Sequence, residues 1–136
     1  MASNTNFWDN KGARNTDIQE IFQEKGWVSI YVNALNFGFD PREWLLRVPL
    51  DRVVQMHIAG HELWRGLTLD THGAPVIDPV IELMQWVLPR IGRPVPVLLE
   101  RDNDIPPLAE LLAERAAIQE AYDAVMAAPA GKAPDA

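Results

Sequence analysis

The chain's three histidines, His57, His61 and His72, all fall within one short window. Glu62 and Asp70 share that window, and Glu100 closes an apolar run further on. Imidazole nitrogen and carboxylate oxygen together can hold a divalent cation. The chain has no cysteine, which removes disulfide scaffolds, thiolate zinc sites, iron–sulfur clusters and cysteine nucleophiles. Without sulfur, such a donor set suits iron(II), manganese or zinc. A His/carboxylate set with open positions is the usual arrangement for non-haem iron working with dioxygen. His57 and His61 are four apart, the spacing of a zinc pair on a helix, but Gly60 and the strand-like run before it argue against a helix there. The His-Glu-x-x-His pattern of zinc proteases is absent. A lone histidine at a strand end is most often satisfied by a backbone carbonyl; the clustering is what points to a shared site.

These residues must be held by elements that periodicity and punctuation outline. Residues 27–32 are aromatic and β-branched and read as a strand, followed by a loop over 33–40. Pro41 opens a short helix to about Arg47 with Asp40 as its N-cap. Residues 52–59 read as a second strand stopped by Gly60, and 67–69 as a third, very short one. Asp78 and Pro79 open the best-patterned helix, with Val80, Leu83, Met84 and Val87 on one face and Gly92 near its end. Residues 94–99 read as a fourth strand and 104–126 as a helix entered through Pro106 and Pro107.

Alternating strands and helices predict right-handed parallel βαβ units, an α/β fold. Short, almost wholly apolar strands fit a sheet covered on both faces. Three or four such units are too few to close an eight-stranded barrel, so the expectation is a small open sheet or part of a barrel. On this map His57, Asp70 and Glu100 each lie at or near the C-terminal end of a strand. In a parallel sheet those ends share one face, where active sites are built. His72 points the same way as Asp70 if the backbone between them stays extended. Asn33, Asn36, Thr71 or Asp102 could support the ligands from behind. The Asp102-Asn103-Asp104 run lacks the spacing of a calcium loop and reads as the cap of the following helix. Trp64, between His61 and Asp70, reads as packing material.

Composition narrows the function classes. The 136 residues include 12 basic and 19 acidic ones, for a net charge of −7, and 48% are hydrophobic. That is an ordinary globular balance sized for one domain. The acidic excess disfavours nucleic acid and anionic membranes as partners. No apolar run approaches the roughly 20 residues of a membrane span. The start lacks the basic and apolar regions of a secretory signal, which sets a cytoplasmic expectation. Residues 1–26 read as a polar segment with a short helix over 16–25, built on Ile18, Ile21 and Phe22 and capped by Thr16. Residues 127–136 read as a disordered tail.

Four ordered segments of the chain resemble one known family. They are residues 31–41 (YVNALNFGFDP), 57–61 (HIAGH), 70–76 (DTHGAPV) and 99–106 (LERDNDIP). The pattern is similar to that of the multinuclear non-haem iron-dependent oxidative enzymes, to which the methanobactin-biosynthesis oxidase belongs. The match runs from about Val28 to Arg115. The resemblance implies a TIM-type (β/α) barrel with two or three irons at its C-terminal face. It implies dioxygen-dependent modification of cysteines in ribosomally made precursor peptides, with a small partner protein that grips the peptide leader. By motif, His57, Asp70, His72 and Glu100 match metal ligands, and His61 a position behind them.

The departures are specific. The family's barrel is about twice as long as the matching stretch, so residues 27–126 correspond to its C-terminal half. An Asp-Val-Asn-Asn run that precedes the Tyr-Val-Asn motif in the family is replaced here by Gly26-Trp27-Val28-Ser29. The expectation is therefore a truncated oxidase, inactive alone, with one iron or none. A partial barrel has open strand edges and an uncovered inner face, which predicts a homo-oligomer. Two other readings stand beside it: a non-catalytic interaction subunit with inherited ligands, and a fragment of a divalent-metal isomerase-like barrel.

Overall fold

A computed structural model describes residues 28–127. The helix expected over 16–25 and the tail beyond Ala127 lie outside the described residues. The described chain runs α1 (Val28–Phe37), α2 (Pro41–Leu45), a 3-10 turn (Leu50–Arg52), β1 (Met56–Ala59), β2 (Glu62–Trp64), β3 (Leu67–Leu69), α3 (Asp78–Ile91), β4 (Val97–Glu100) and α4 (Leu108–Met126). It is a mixed helix–strand fold with one parallel pair, in agreement with the α/β expectation. Two separate two-stranded sheets are formed among the described residues.

The central unit is β1–α3–β4. β1 pairs with β4 in parallel, with Met56 opposite Val97 and Ala59 opposite Glu100. Side chains alternate across a strand, so Met56, Ile58, Val97 and Leu99 face one side and His57, Ala59, Leu98 and Glu100 the other. The first side meets α3, whose buried Val80, Leu83, Met84, Val87, Leu88 and Ile91 recur at helical spacing. Pro79 stands in the first turn of α3, where its missing N–H costs nothing, and Gly92 closes the helix in a left-handed conformation at φ 76°. α4 packs along α3, with Ile118 in the core, Gln85 donating to the Ala121 carbonyl and the Tyr122 hydroxyl donating to that of Val95. Asp40 caps α2 as expected, its carboxylate accepting from the Arg42 amide at 2.8 Å.

Three expectations are corrected. Of the strand expected over 27–32, the described part, 28–32, is not a strand but the start of the helix α1. Among its described side chains, Ile30, Val32 and Ala34 are buried. Ile30 enters the main core while Val32 meets Ala59 in a second cluster. A helix buried on two sides shows no single apolar stripe, and its β-branched residues then imitate a strand. Residues 67–69 do form a strand, but it pairs antiparallel with β2, which periodicity missed. Arg65 and Gly66 both have positive φ (49° and 82°), as a two-residue hairpin turn of matching twist requires. The Asp102-Asn103-Asp104 run does not cap α4, whose N-cap is Pro107 with no side-chain bond.

Gly60 joins the two sheets. A Cβ there would lie 1.8 Å from the Ala74 carbonyl oxygen and 2.6 Å from that of Pro75. The end of β1 therefore runs in backbone contact with the segment that leads into α3.

Two substitutions test this packing. Leu88 is fully buried, and Leu88→Ala should cost about 2–5 kcal/mol by creating a cavity. Gly60→Ala should cost about 1–3 kcal/mol because backbone must move to admit the methyl. Urea unfolding measures both; a loss below about 0.5 kcal/mol in either case would contradict the packing described.

Candidate metal centre

β1 and β4 bring the first pair together. His57 Nδ1 lies 3.0 Å from Glu100 Oε1, and the Gln55 side-chain amide lies 2.6 Å from His57 Nε2. An amide nitrogen only donates, so Nε2 accepts and Nδ1 carries the proton given to Glu100.

The segment after β3 supplies the second part. Asp70 follows Leu69 directly, and its Oδ1 is 2.9 Å from His72 Nε2. His72 Nδ1 meets Asp102 Oδ2 at 2.8 Å and Glu100 Oε2 at 3.6 Å. Glu100 thus stands between the two imidazoles. Burial pulls the His72 pKa down, but the Asp102 hydrogen bond and the charges of Asp70, Glu100 and Asp102 outweigh it and hold it above the ordinary value. Both ring nitrogens of His72 can donate to carboxylates, which favours the imidazolium.

His72 does not continue an extended backbone from Asp70, as expected, but has φ 52°. A non-glycine residue in that region costs on the order of 1–3 kcal/mol and needs surrounding structure to hold it. The amides of Asp102 and Asn103 both donate to the His72 carbonyl, at 2.9 and 3.4 Å, and the Asn103 side chain donates to the Thr71 carbonyl at 2.7 Å. The two loops are thereby zipped together.

His61 sits at the margin. Its ring lies 5.5 Å from that of Tyr31, and its Nδ1 is buried with no hydrogen-bond partner among the described residues. Burial lowers its pKa, and the charge of Asp70 opposes that shift. Behind the loops, Glu114 of α4 accepts the Val76 amide at 2.7 Å and pairs with Arg101 at 3.2 Å.

The structure brings His57, Asp70, His72 and Glu100 into one network, with Asp102 against His72. It does not bring Asn36 there: that side chain brackets the backbone of Thr68, donating to its carbonyl and accepting from its amide, both at 2.8 Å. Asn33 is half-buried on α1. The Thr71 hydroxyl accepts the Gly73 amide at 3.3 Å. Trp64 is exposed on β2, with the Arg65 guanidinium 4.6 Å above its ring, so the packing expectation is corrected. The roles of Glu114 and Asn103 carried no sequence signal beyond residue type. Among the described residues, no three His, Asp or Glu side chains are arranged as a ready metal cage. No described helix is long and apolar enough to cross a membrane.

A sequence model for the RiPP precursor modification enzymes MbnB/TglH/ChrH matches residues 28–123. The chain is 55% identical over 86 residues to a UPF0276 protein of Caulobacter vibrioides, covering 63% of this chain and 30% of that protein. It is 50% identical over 86 residues to a UPF0276 protein of Rhizorhabdus wittichii, covering 63% of this chain and 31% of the relative. It is 48% identical over 93 residues to a UPF0276 protein of Pseudomonas aeruginosa, covering 68% of this chain and 32% of the relative. The chain spans about a third of the length of these relatives, a smaller share than the half that the resemblance implied. With the match spanning most of the described residues, the chain belongs to the MbnB/TglH/ChrH family of RiPP precursor modification enzymes.

Proposed function

We propose that this chain contributes part of an iron site to an oxidative enzyme that modifies cysteines in ribosomally made peptides. His57, Asp70, His72 and Glu100 are the ligands in this reading, with Asp102 orienting His72. The observation that carries it is the unbroken chain of contacts Asp70–His72–Glu100–His57, within 3.6 Å at every step.

The donor set fits iron. Imidazole and carboxylate donors without sulfur suit it, and the carboxylates of Asp70, Glu100 and Asp102 exceed the positive charge that His72 can offer. The same four side chains bond one another, so each ligand would exchange a hydrogen-bond partner for the cation. A bound iron would supply redox chemistry with dioxygen. The chain's own residues fix His72 through Asp102 and the backbone clamp on its carbonyl, and place Glu100 between two imidazoles.

The barrel belongs to the same proposal. β4 has no second strand partner among the described residues, and a groove between β4 and α4, lined by Leu98, Leu112, Arg115 and Tyr122, lies open. Both features support a sheet that continues in the remaining length of the relatives. The full activity and a leader-gripping partner protein depend on that remainder, and self-association at the open strand edge is its expected substitute.

The test is elemental analysis of the full chain purified without oxygen or chelators. Iron near one per chain is expected, and Glu100→Ala should remove it while leaving the circular dichroism unchanged. Asp102→Asn should weaken iron affinity about 10–100-fold, as loss of an orienting partner does. A chain that takes up no iron, or variants that load like the parent, would overturn the assignment. Because the chain has no cysteine, loss of thiol from an added cysteine peptide reports on the peptide alone.

A further inference from the structure

The β2–β3 hairpin has two edges with opposite fates. Thr68 of β3 sends its amide and carbonyl outward, where Asn36 takes both at 2.8 Å. Asn36 thus closes that edge as a neighbouring strand would. Leu63 stands directly opposite Thr68. In an antiparallel pair, residues directly opposite either both face inward or both face outward. The amide and carbonyl of Leu63 therefore point outward on the other edge. No backbone group among the described residues bonds them.

This open edge is apolar and lies next to the candidate site. Leu63 is 75% exposed and Trp64 53%. At the other end of β2, Glu62 lies opposite Leu69, the residue before Asp70. A methyl placed on Gly73 would sit 3.4 Å from the Glu62 carboxylate. An extended chain lying along β2 would travel from Leu63 to the His61 end in two residues, about 7 Å at strand rise.

We propose that the outer edge of β2 is the docking strand for the substrate peptide. The peptide adds to the hairpin as a third strand through the Leu63 amide and carbonyl. Leu63 and Trp64 contact its side chains, and the residue to be modified is delivered past Glu62 toward Asp70 and His72. Main-chain bonds of this kind give affinity without demanding one sequence, and flanking apolar contacts add selectivity. The inference rests on the peptide-modifying reading above. A peptide is favoured over a second copy because the edge runs directly into the candidate site and a three-residue strand offers too little pairing to hold a dimer.

The experiment uses the full chain and a display library of random twelve-residue peptides with a fixed central cysteine. Enriched peptides, made synthetically, should bind the parent chain. They should lose at least tenfold in affinity to Leu63→Pro, which removes the outward amide at a position where an edge strand tolerates proline. Leu63→Val should bind as the parent does, and Trp64→Ala should bind several-fold more weakly. Methylating the peptide amide that pairs with Leu63 should reproduce the loss without altering the protein.

Failure to enrich any peptide, or binding unmoved by both Leu63→Pro and amide methylation, would overturn the proposal. So would a dimer in light scattering that Leu63→Pro converts to monomer, since the edge would then belong to a second copy. Iron content is measured on the same samples and should not change in Leu63→Pro. Peptide binding at Leu63 by a chain that loads no iron would sustain the edge and sink the iron reading; the converse would do the reverse.

Discussion

The parallel pairing of β1 with β4 sets the register on which the candidate site depends. It puts Ala59 opposite Glu100 and, one pleat back, His57 on the same side of the sheet. The interaction that enforces this register is the burial of the opposite side. Met56 and Ile58 share one buried cluster with Val80, Leu83, Met84 and Val87 of α3, and Val97 packs against it. A slip of one residue would turn those apolar side chains toward the imidazole and carboxylate and drive His57 and Glu100 into the core. Hydrophobic packing on one face is therefore what fixes a polar contact of 3.0 Å on the other.

The second half of the site cannot be held by a strand, because Asp70 and His72 lie beyond β3. It is held by hydrogen bonds across to the loop after β4. The positive φ of His72 makes sense only in that setting: it turns the ring back between Asp70 and Asp102 while its carbonyl receives two amides. Local strain is offset by long-range bonds. Glu114 ties the same region to α4, using one oxygen for the Val76 amide and the other for the largely buried Arg101.

Much of this was legible in the residues, though unevenly. α3 was readable because its core face follows one helical stripe between Pro79 and Gly92. The cap at Asp40 was readable because its signal is local. The clustering of His57, Asp70, His72 and Glu100 was legible only in outline from strand ends: His57 is the second residue of β1, and Asp70 reaches the site from an antiparallel hairpin rather than from the parallel sheet. α1 was not readable as a helix, because Ile30 and Val32 answer to two different neighbours and their alternation copies a strand. Nor were the contacts of Asn36, Glu114 and Asn103. Each acts at a distance of many residues through one or two hydrogen bonds, and no periodicity announces a bond of that kind.

Gly60 explains how a buried sheet and an exposed hairpin coexist. The chain leaves β1 at Gly60 and returns in backbone contact with it at Ala74 and Pro75. Residues 61–73 are thus an excursion whose two ends meet at one point. The β1–α3–β4 unit closes its core without them, so their side chains are released from packing duty. That release lets Leu63 and Trp64 stay in solvent and Asn36 substitute for a strand. It also lets Asp70 and His72 gather polar groups that a core would exclude. A substitution within the excursion should change what the site meets, whereas one at its neck disturbs the fold itself.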